Sequence, residues 1–351
     1  MLNLTKTQKS FIQYGFLLFL ICITVYLVST TLDISLIPMI IKIVDKKFIF
    51  IGFLLMIFYI LLEFIIIDIL IKSIEKTKVK FLGLKIAMMG FYYNLVTPFA
   101  SGSQPMQIYT LNKYGINLSK STAIVTNKTV LFQSVVTIYS AIIMFLNRDL
   151  LKTNLNSIKL LMTIGMAMNI VSLLGGVLIV LSPNTMKKIV NTIINVLNKI
   201  NIFKSLNEKR EIINTFIDEY YYSIKIFIKN KKALCISLIF TVIQLTIFFS
   251  ISYCIYKAFN LTGFSYFYVL ALQVFLYMSV SPVPTPGNVG ANEMAFFTIF
   301  ASIFPKSIIG YCVFLYSIFI YYFLVVVAGL FTIYTHYDMN KLKDKNVNYN
   351  L

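Results

Sequence analysis

Six apolar runs, near residues 11–31, 48–71, 121–146, 158–181, 233–256 and 308–334, leave this chain few folds to choose from. Each is about 20 residues or longer, the length at which a helix crosses the roughly 30 Å hydrocarbon core of a bilayer. Lipid offers the backbone no hydrogen-bond partner, so such runs predict spanning helices. Charged residues make up 13% of the 351 residues and hydrophobic ones 58%. A water-soluble domain would carry about 25% charge. The expected fold class is an all-α polytopic integral membrane protein, with a single transmembrane domain over 1–340 and a polar basic tail over 341–351. The first run follows Lys6 and Lys9, with no small-residue cleavage site after it, and reads as an uncleaved first span.

Two further apolar regions, 84–112 and 264–304, are broken in the middle. The first break reads Thr97-Pro98-Phe99-Ala100-Ser101-Gly102-Ser103-Gln104-Pro105, and the second Ser281-Pro282-Val283-Pro284-Thr285-Pro286-Gly287-Asn288-Val289-Gly290. Proline removes a backbone donor and clashes with the preceding turn, so neither region is one continuous helix. Each is either a re-entrant hairpin or a pair of short helices. The short second arm of the first break, 104–111, favours a hairpin there.

Charge sets the orientation. The net charge is +18, and every basic residue except Arg148 and Arg210 is lysine, mostly placed between the apolar runs. That pattern reads as topology signals facing anionic headgroups and not as a nucleic-acid surface. The segment 72–85 carries Lys72, Lys76, Lys78, Lys80 and Lys85 against Glu75 alone; 182–232 carries ten basic residues; the tail adds Lys341, Lys343 and Lys345. All three segments, and the N-terminus, are expected on the cytoplasmic side of a cell membrane. Cys22, Cys235, Cys254 and Cys312 lack metal or disulfide spacing and read as small buried hydrophobes. His336 is the only histidine, so neither a metal site nor a cofactor is expected. In 184–232, Ile213, Phe216, Ile217, Tyr220, Ile224 and Phe227 recur at helical spacing, which predicts an amphipathic cytoplasmic insertion lying on the membrane surface.

Sliding the sequence by 184 positions lays Phe91-Tyr92-Tyr93-Asn94-Leu95-Val96-Thr97-Pro98 over Phe275-Leu276-Tyr277-Met278-Ser279-Val280-Ser281-Pro282, with four identities in eight. Beyond these, Ser101 falls over Thr285 and Gln104 over Asn288. Span, break, span thus occurs twice, in halves of about 11–146 and 158–334, and the lysine rule runs the two copies in opposite directions. That is the pattern of inverted-topology transporters, whose broken helices meet near the bilayer midplane.

Irregular backbone at membrane depth requires cover from protein or a water-filled cavity. The candidate lining is Asn94, Thr97, Ser101, Ser103, Gln104 and Gln107 from the first break, and Thr285, Asn288, Asn292 and Glu293 from the second. Ionisable residues inside spans are costly and therefore informative. Glu63 and Lys128 are candidates for an intramembrane ion pair, and Glu293 is expected to be the central functional acid, such that Glu293→Gln impairs transport.

Thr97-Pro98 through Gln107, together with Pro284-Thr285-Pro286-Gly287-Asn288-Val289-Gly290-Ala291-Asn292-Glu293, resembles the lysylphosphatidylglycerol synthase transmembrane-domain family, also described as flippase-like. The likeness runs over roughly 10–335, with Asn288 where a second Gly is usual and Ser103 where Gly is frequent. It implies that Glu293 and the Gln104 region line a lipid-headgroup pathway. Full-length synthases of this kind add a cytosolic aminoacyl-transfer domain. The longest polar stretch here, roughly 50 residues, is too short for one, so lysyl transfer is not expected. The leading functional expectation is a flippase-like protein moving a polar or anionic lipid, with aminoacylated and polyprenyl-phosphate-linked lipids among the candidates, between leaflets. The alternatives are a membrane-embedded transferase of the phosphatidylglycerol lysyltransferase type and a membrane partner of a separately encoded lipid synthase. Expected partners are membrane lipids with anionic headgroups, and no nucleic acid.

Overall fold

A computed structural model describes residues 34–153, 156–199 and 210–348. The expected first span, 11–31, lies outside the described residues, as does Cys22. Among the described residues the protein is helical throughout, with no strand. Five segments are long and apolar enough to cross a membrane: Lys46–Ile74, Leu118–Leu146, Ile158–Val180, Lys231–Ala258 and Ile309–Lys341. They match the remaining five predicted spans to within three residues at every end but the last, where the helix runs to Lys341 and not 334, and the chain is a multi-pass membrane protein.

The elements run α1 (Ile37–Ile43), α2 (Lys46–Ile74), α3 (Leu82–Val96), α4 (Ser103–Lys113), α5 (Leu118–Leu146), α6 (Asn156–Leu181), α7 (Pro183–Lys199), α8 (Arg210–Lys229), α9 (Lys231–Ala258), α10 (Tyr266–Val280), α11 (Ala291–Phe300), α12 (Ile309–Ser317) and α13 (Phe323–Asn348). A single π turn, Ile318–Tyr322, joins α12 to α13, so the last span is one rod with a local bulge that runs past His336. Caps begin several helices: the side chains of Asp45, Asn117, Asn230 and Ser265 each accept a backbone N–H of the first turn.

Helices α2 and α9 lie antiparallel. The Asp45 N–H donates to the Ala258 carbonyl at 2.7 Å, and Gln244 reaches the Tyr59 carbonyl at 3.3 Å. At the opposite end of α2, Glu75 pairs with Lys120 at 2.5 Å, which ties the start of α5 to that end. With 29 residues, α2 is roughly 43 Å long, so its ends mark the two faces of the molecule.

Both broken regions are re-entrant hairpins. Helix α3, with 15 residues, is about 22 Å long and α4, with 11, about 16 Å, so neither crosses the hydrocarbon core. Helix α4 folds back along α3: Gln107 donates to the Ile86 carbonyl at 3.2 Å, and Ser103 lies beside Gly90. The hairpin closes where Lys85 sits 4.6 Å over the Tyr114 ring, and both side chains bind Asp338, at 2.5 and 2.7 Å. Burial first, and the Asp338 carboxylate after it, push the Tyr114 phenol far up from its ordinary value, so it remains a donor at physiological pH. The second hairpin closes on Tyr256, whose ring contacts Phe264 before α10 and Phe304 after α11. Tyr256 is near the Ala258 end of α9, and Lys85 and Tyr114 are near the Ile74 end of α2. The two hairpins therefore enter from opposite faces.

The repeat is legible in the elements, with one correction to its register. Helices α3 and α10 are both 15 residues long and 184 positions apart. Beyond them, Thr97 (φ −116, ψ 142) corresponds to Thr285 (φ −101, ψ 147), and Phe99 (φ 53, ψ 22) to Gly287 (φ 58, ψ 13). Thr97-Pro98-Phe99-Ala100 and Thr285-Pro286-Gly287-Asn288 are thus the same turn, 188 positions apart, so Ser101 and Gln104 are not counterparts of Thr285 and Asn288. Four added residues, Ser281-Pro282-Val283-Pro284, form a turn of their own through Val283 N–H to the Val280 carbonyl, 2.9 Å. A proline alone does not define the turn; the left-handed pair after the Thr-Pro does.

The polar insertion also differs from expectation. The apolar face of α8 is covered by protein: Ile217, Tyr220, Tyr221 and Ile224 are buried against Ala123 of α5 and against Val180, Met186 and Val190. Helix α7 keeps Ile189 and Ile193 half exposed and pairs Lys187 with Asp218 of α8 at 2.5 Å. Of the described cysteines, Cys254 and Cys312 are buried and Cys235 is exposed.

Helices α6 and α10 approach closely at Gly165. A Cβ placed on Gly165 would fall 1.8 Å from the Met278 carbonyl oxygen. Gly165→Val is expected to push α6 off α10 and cost on the order of 1–3 kcal/mol or more, read as a lowered thermal unfolding midpoint in detergent.

Candidate functional site

The hairpin tips meet inside the bundle. Gly287 packs so closely on the end of α3 that an added Cβ would lie 2.9 Å from the Leu95 carbonyl oxygen, with the Tyr321 ring closer still. A side chain there is excluded by space as well as by its positive φ of 58°. Beside the joined tips is a cavity of about 410 Å³, within the range of small-molecule sites. Tyr59 and Glu63 of α2, Lys128, Thr129, Phe132 and Gln133 of α5 and Leu245 of α9 line it, and these positions lie near the middle of their spans. The site is therefore at mid-depth of the bundle.

Of the residues singled out from the sequence, Asn94, Ser103, Gln104, Gln107, Thr285, Asn288 and Asn292 line the cavity, as do Glu63 and Lys128. Thr97, Ser101 and Glu293 do not. Thr97 is occupied in holding the first tip: its hydroxyl donates to the Tyr93 carbonyl at 2.5 Å and accepts from the Gly102 N–H at 3.0 Å. Ser101 is exposed on the outer side of the turn. Gln107 lies across α3 because Gly90 leaves room for it; a Cβ at residue 90 would meet the Gln107 amide nitrogen at 2.2 Å.

Glu293 stands at the third position of α11, where a carboxylate folds back onto the helix start. Its Oε2 accepts from the Gly290 N–H at 2.6 Å and its Oε1 from the Ser317 hydroxyl at 2.6 Å. It ties the second hairpin to the last span, immediately before the π turn, and faces recesses outside the cavity lined by Met294, Phe297, Gly310 and Val313. The structure thus moves Glu293 off the cavity wall, which changes the outcome expected of Glu293→Gln. A glutamine accepts from Gly290 with its oxygen and donates to Ser317 with its nitrogen. Glu293→Gln is expected to cost about 1 kcal/mol, whereas Glu293→Ala loses both contacts and about 2–3 kcal/mol. Thermal unfolding midpoints of both variants check this.

The ion pair joins α2 to α5: Lys128 Nζ is 2.6 Å from Glu63 Oε1. Glu63 is 5% exposed and Lys128 23%, so the carboxylate lies behind and the ammonium faces the cavity. Gln244 of α9 donates to Glu63 Oε2 at 3.0 Å, joining three spans at one acid. Removing one partner of a buried pair leaves an uncompensated charge, at about 3–5 kcal/mol. Lys128→Met is expected to lose that much stability, and Glu63→Gln with Lys128→Met to recover most of it, measured as a double-mutant cycle of unfolding midpoints.

Sequence reasoning missed Gln244, Thr129, Gln133 and Asn169. Gln133 donates to Asn169 Oδ1 at 2.7 Å, and Asn169 donates to Ser281 at 3.0 Å, so α5, α6 and the second break are linked by amides. An amide inside an apolar span is a signal in itself, since it seeks a partner across a helix interface. Gln133 and Gln244 could have been singled out on that basis. Two further hydroxyls, Thr285 Oγ1 on the cavity wall and Tyr321 OH above Gly287, are buried without a hydrogen-bond partner among the described residues.

Comparison with known proteins places this architecture. Neither the curated proteins nor the solved structures contain a match to the chain. The family model described as Lysylphosphatidylglycerol synthase TM region matches residues 12–328, which covers both hairpins and the cavity between them, and the chain belongs to that family.

Proposed function

We propose that this protein moves the polar headgroup of a membrane lipid from one leaflet to the other, in the flippase-like manner, with the cavity between the hairpin tips as the halfway site. One observation carries the reading. Two re-entrant hairpins from opposite faces place irregular backbone and a polar cavity of about 410 Å³ at mid-depth of a membrane bundle, the arrangement in which alternating access exposes one site to each side in turn. The lipid's acyl chains would remain in the bilayer while only the headgroup crosses. In this reading the face with Lys72, Lys76, Lys78, Lys80 and Lys85 is cytoplasmic, set by its lysine excess.

The test is a leaflet-resolved lipid assay in liposomes containing only the purified full chain. Lipid exchange between leaflets is expected to run faster than in protein-free liposomes, without nucleotide. Asn94→Phe, which fills the cavity from α3, is expected to slow it about tenfold with an unchanged unfolding midpoint. Exchange no faster than in protein-free liposomes would overturn the proposal.

A further inference from the structure

Resting on the translocation reading, we infer that the headgroup taken by this cavity is uncharged and rich in hydroxyls: a glycosyl headgroup, as in a glycosyl diacylglycerol. Two features of the cavity wall carry this.

The first is charge. Among the described residues that line the cavity, Glu63 and Lys128 are the only charged side chains, and they neutralise each other at 2.6 Å. Drawing Lys128 toward a phosphate would strand Glu63, which is almost fully buried and whose second oxygen is held by Gln244. A headgroup with a net charge of either sign therefore meets no free counter-charge on this wall, and an unpaired charge in a desolvated site is strongly disfavoured.

The second is the direction of the hydrogen bonds. Six amide side chains, Asn94, Gln104, Gln107, Gln133, Asn288 and Asn292, line the cavity. In four of them the NH₂ group makes a hydrogen bond within the protein: Gln104 donates to Thr129, Gln107 to Ile86, Gln133 to Asn169 and Asn292 to Gly287, at 3.3, 3.2, 2.7 and 3.5 Å. Each then presents a carbonyl oxygen to a ligand beside at most one remaining N–H, on a wall that also carries the unpartnered Thr285 hydroxyl. Neutral acceptors set beside neutral donors suit a hydroxyl, which needs both, and supply no charge to a phosphate. Asn94 and Asn288 stay free to donate as well as accept, which suits a hydroxyl's double role. The apolar part of the wall includes the faces of Phe99 and Phe132, surfaces against which the C–H face of a sugar ring packs.

The inference and the translocation reading are tested with one set of probes in two assays. The probes are a glucosyl diacylglycerol, phosphatidylglycerol, lysyl-phosphatidylglycerol and phosphatidylethanolamine with identical acyl chains. Native mass spectrometry of the detergent-purified full chain, with the four lipids in competition, is expected to retain the glucosyl lipid about tenfold over each of the others. Gln104→Leu, which removes one exposed acceptor, is expected to reduce that preference at least about threefold with an unchanged unfolding midpoint. The leaflet assay is then run with each lipid. Preferential retention of any phosphate-bearing lipid, or of none, overturns the glycosyl inference. Glucosyl lipid retained but not moved between leaflets supports the inference and removes the translocation reading instead.

Discussion

Non-helical backbone cannot face lipid, and the protein meets that constraint by making each hairpin tip cover the other. The Leu95 carbonyl, freed by the first break, is roofed by Gly287 of the second, and the Tyr321 ring closes over both. Each turn satisfies its own amides in the same way, with Ala100 N–H to the Thr97 carbonyl at 3.2 Å and Asn288 N–H to the Thr285 carbonyl at 3.1 Å. The cavity follows from this contact. Two tips that touch tip to tip cannot also fill the space beside them, and the half-length helices α3, α4, α10 and α11 leave at mid-depth a space that their own ends and side chains from the long spans line together.

Within that space the ion pair is the most expensive element. A buried pair is a weak source of stability, because desolvation offsets much of its attraction. Its value here is geometric: Glu63, Lys128 and Gln244 hold α2, α5 and α9 in register at the level of the cavity. The Gln133–Asn169–Ser281 chain does the same for α5, α6 and the second hairpin. Both networks use side chains whose partners are on other helices, so the wall of the site and the fixing of the helices are one structure.

Glu293 and Thr97 show how a functional-looking residue can serve the frame. Both are polar, near a break and at a depth where polarity is costly, which is why they read as lining. Both instead spend their polar atoms on the frame, Glu293 on the Gly290 N–H and the Ser317 hydroxyl of the last span, and Thr97 on the backbone of Tyr93 and Gly102. Helix α8 errs in the opposite direction. Its apolar stripe is one face of a helix, but periodicity states only that a face is covered. Whether lipid or α5 covers it depends on where the chain returns, and here α5 does so through Ala123.

By itself the sequence determined the class of fold, the described spans to within several residues, the positions of both breaks and the opposite directions of the two repeat copies. Each rests on a local cause: apolar length against bilayer thickness, proline against helix continuity, lysine against translocation. Most of the cavity wall was legible too, because Asn94, Gln104, Gln107, Asn288 and Asn292 sit within a few residues of a break. Tertiary structure alone decided the four-residue shift in the repeat, the side to which Glu293 turns, the cover on α8 and the partners that Gln133 and Gln244 find. Those depend on contacts between separate helices, or on a left-handed φ shared by Phe99 and Gly287, and neither leaves a periodic trace along the chain.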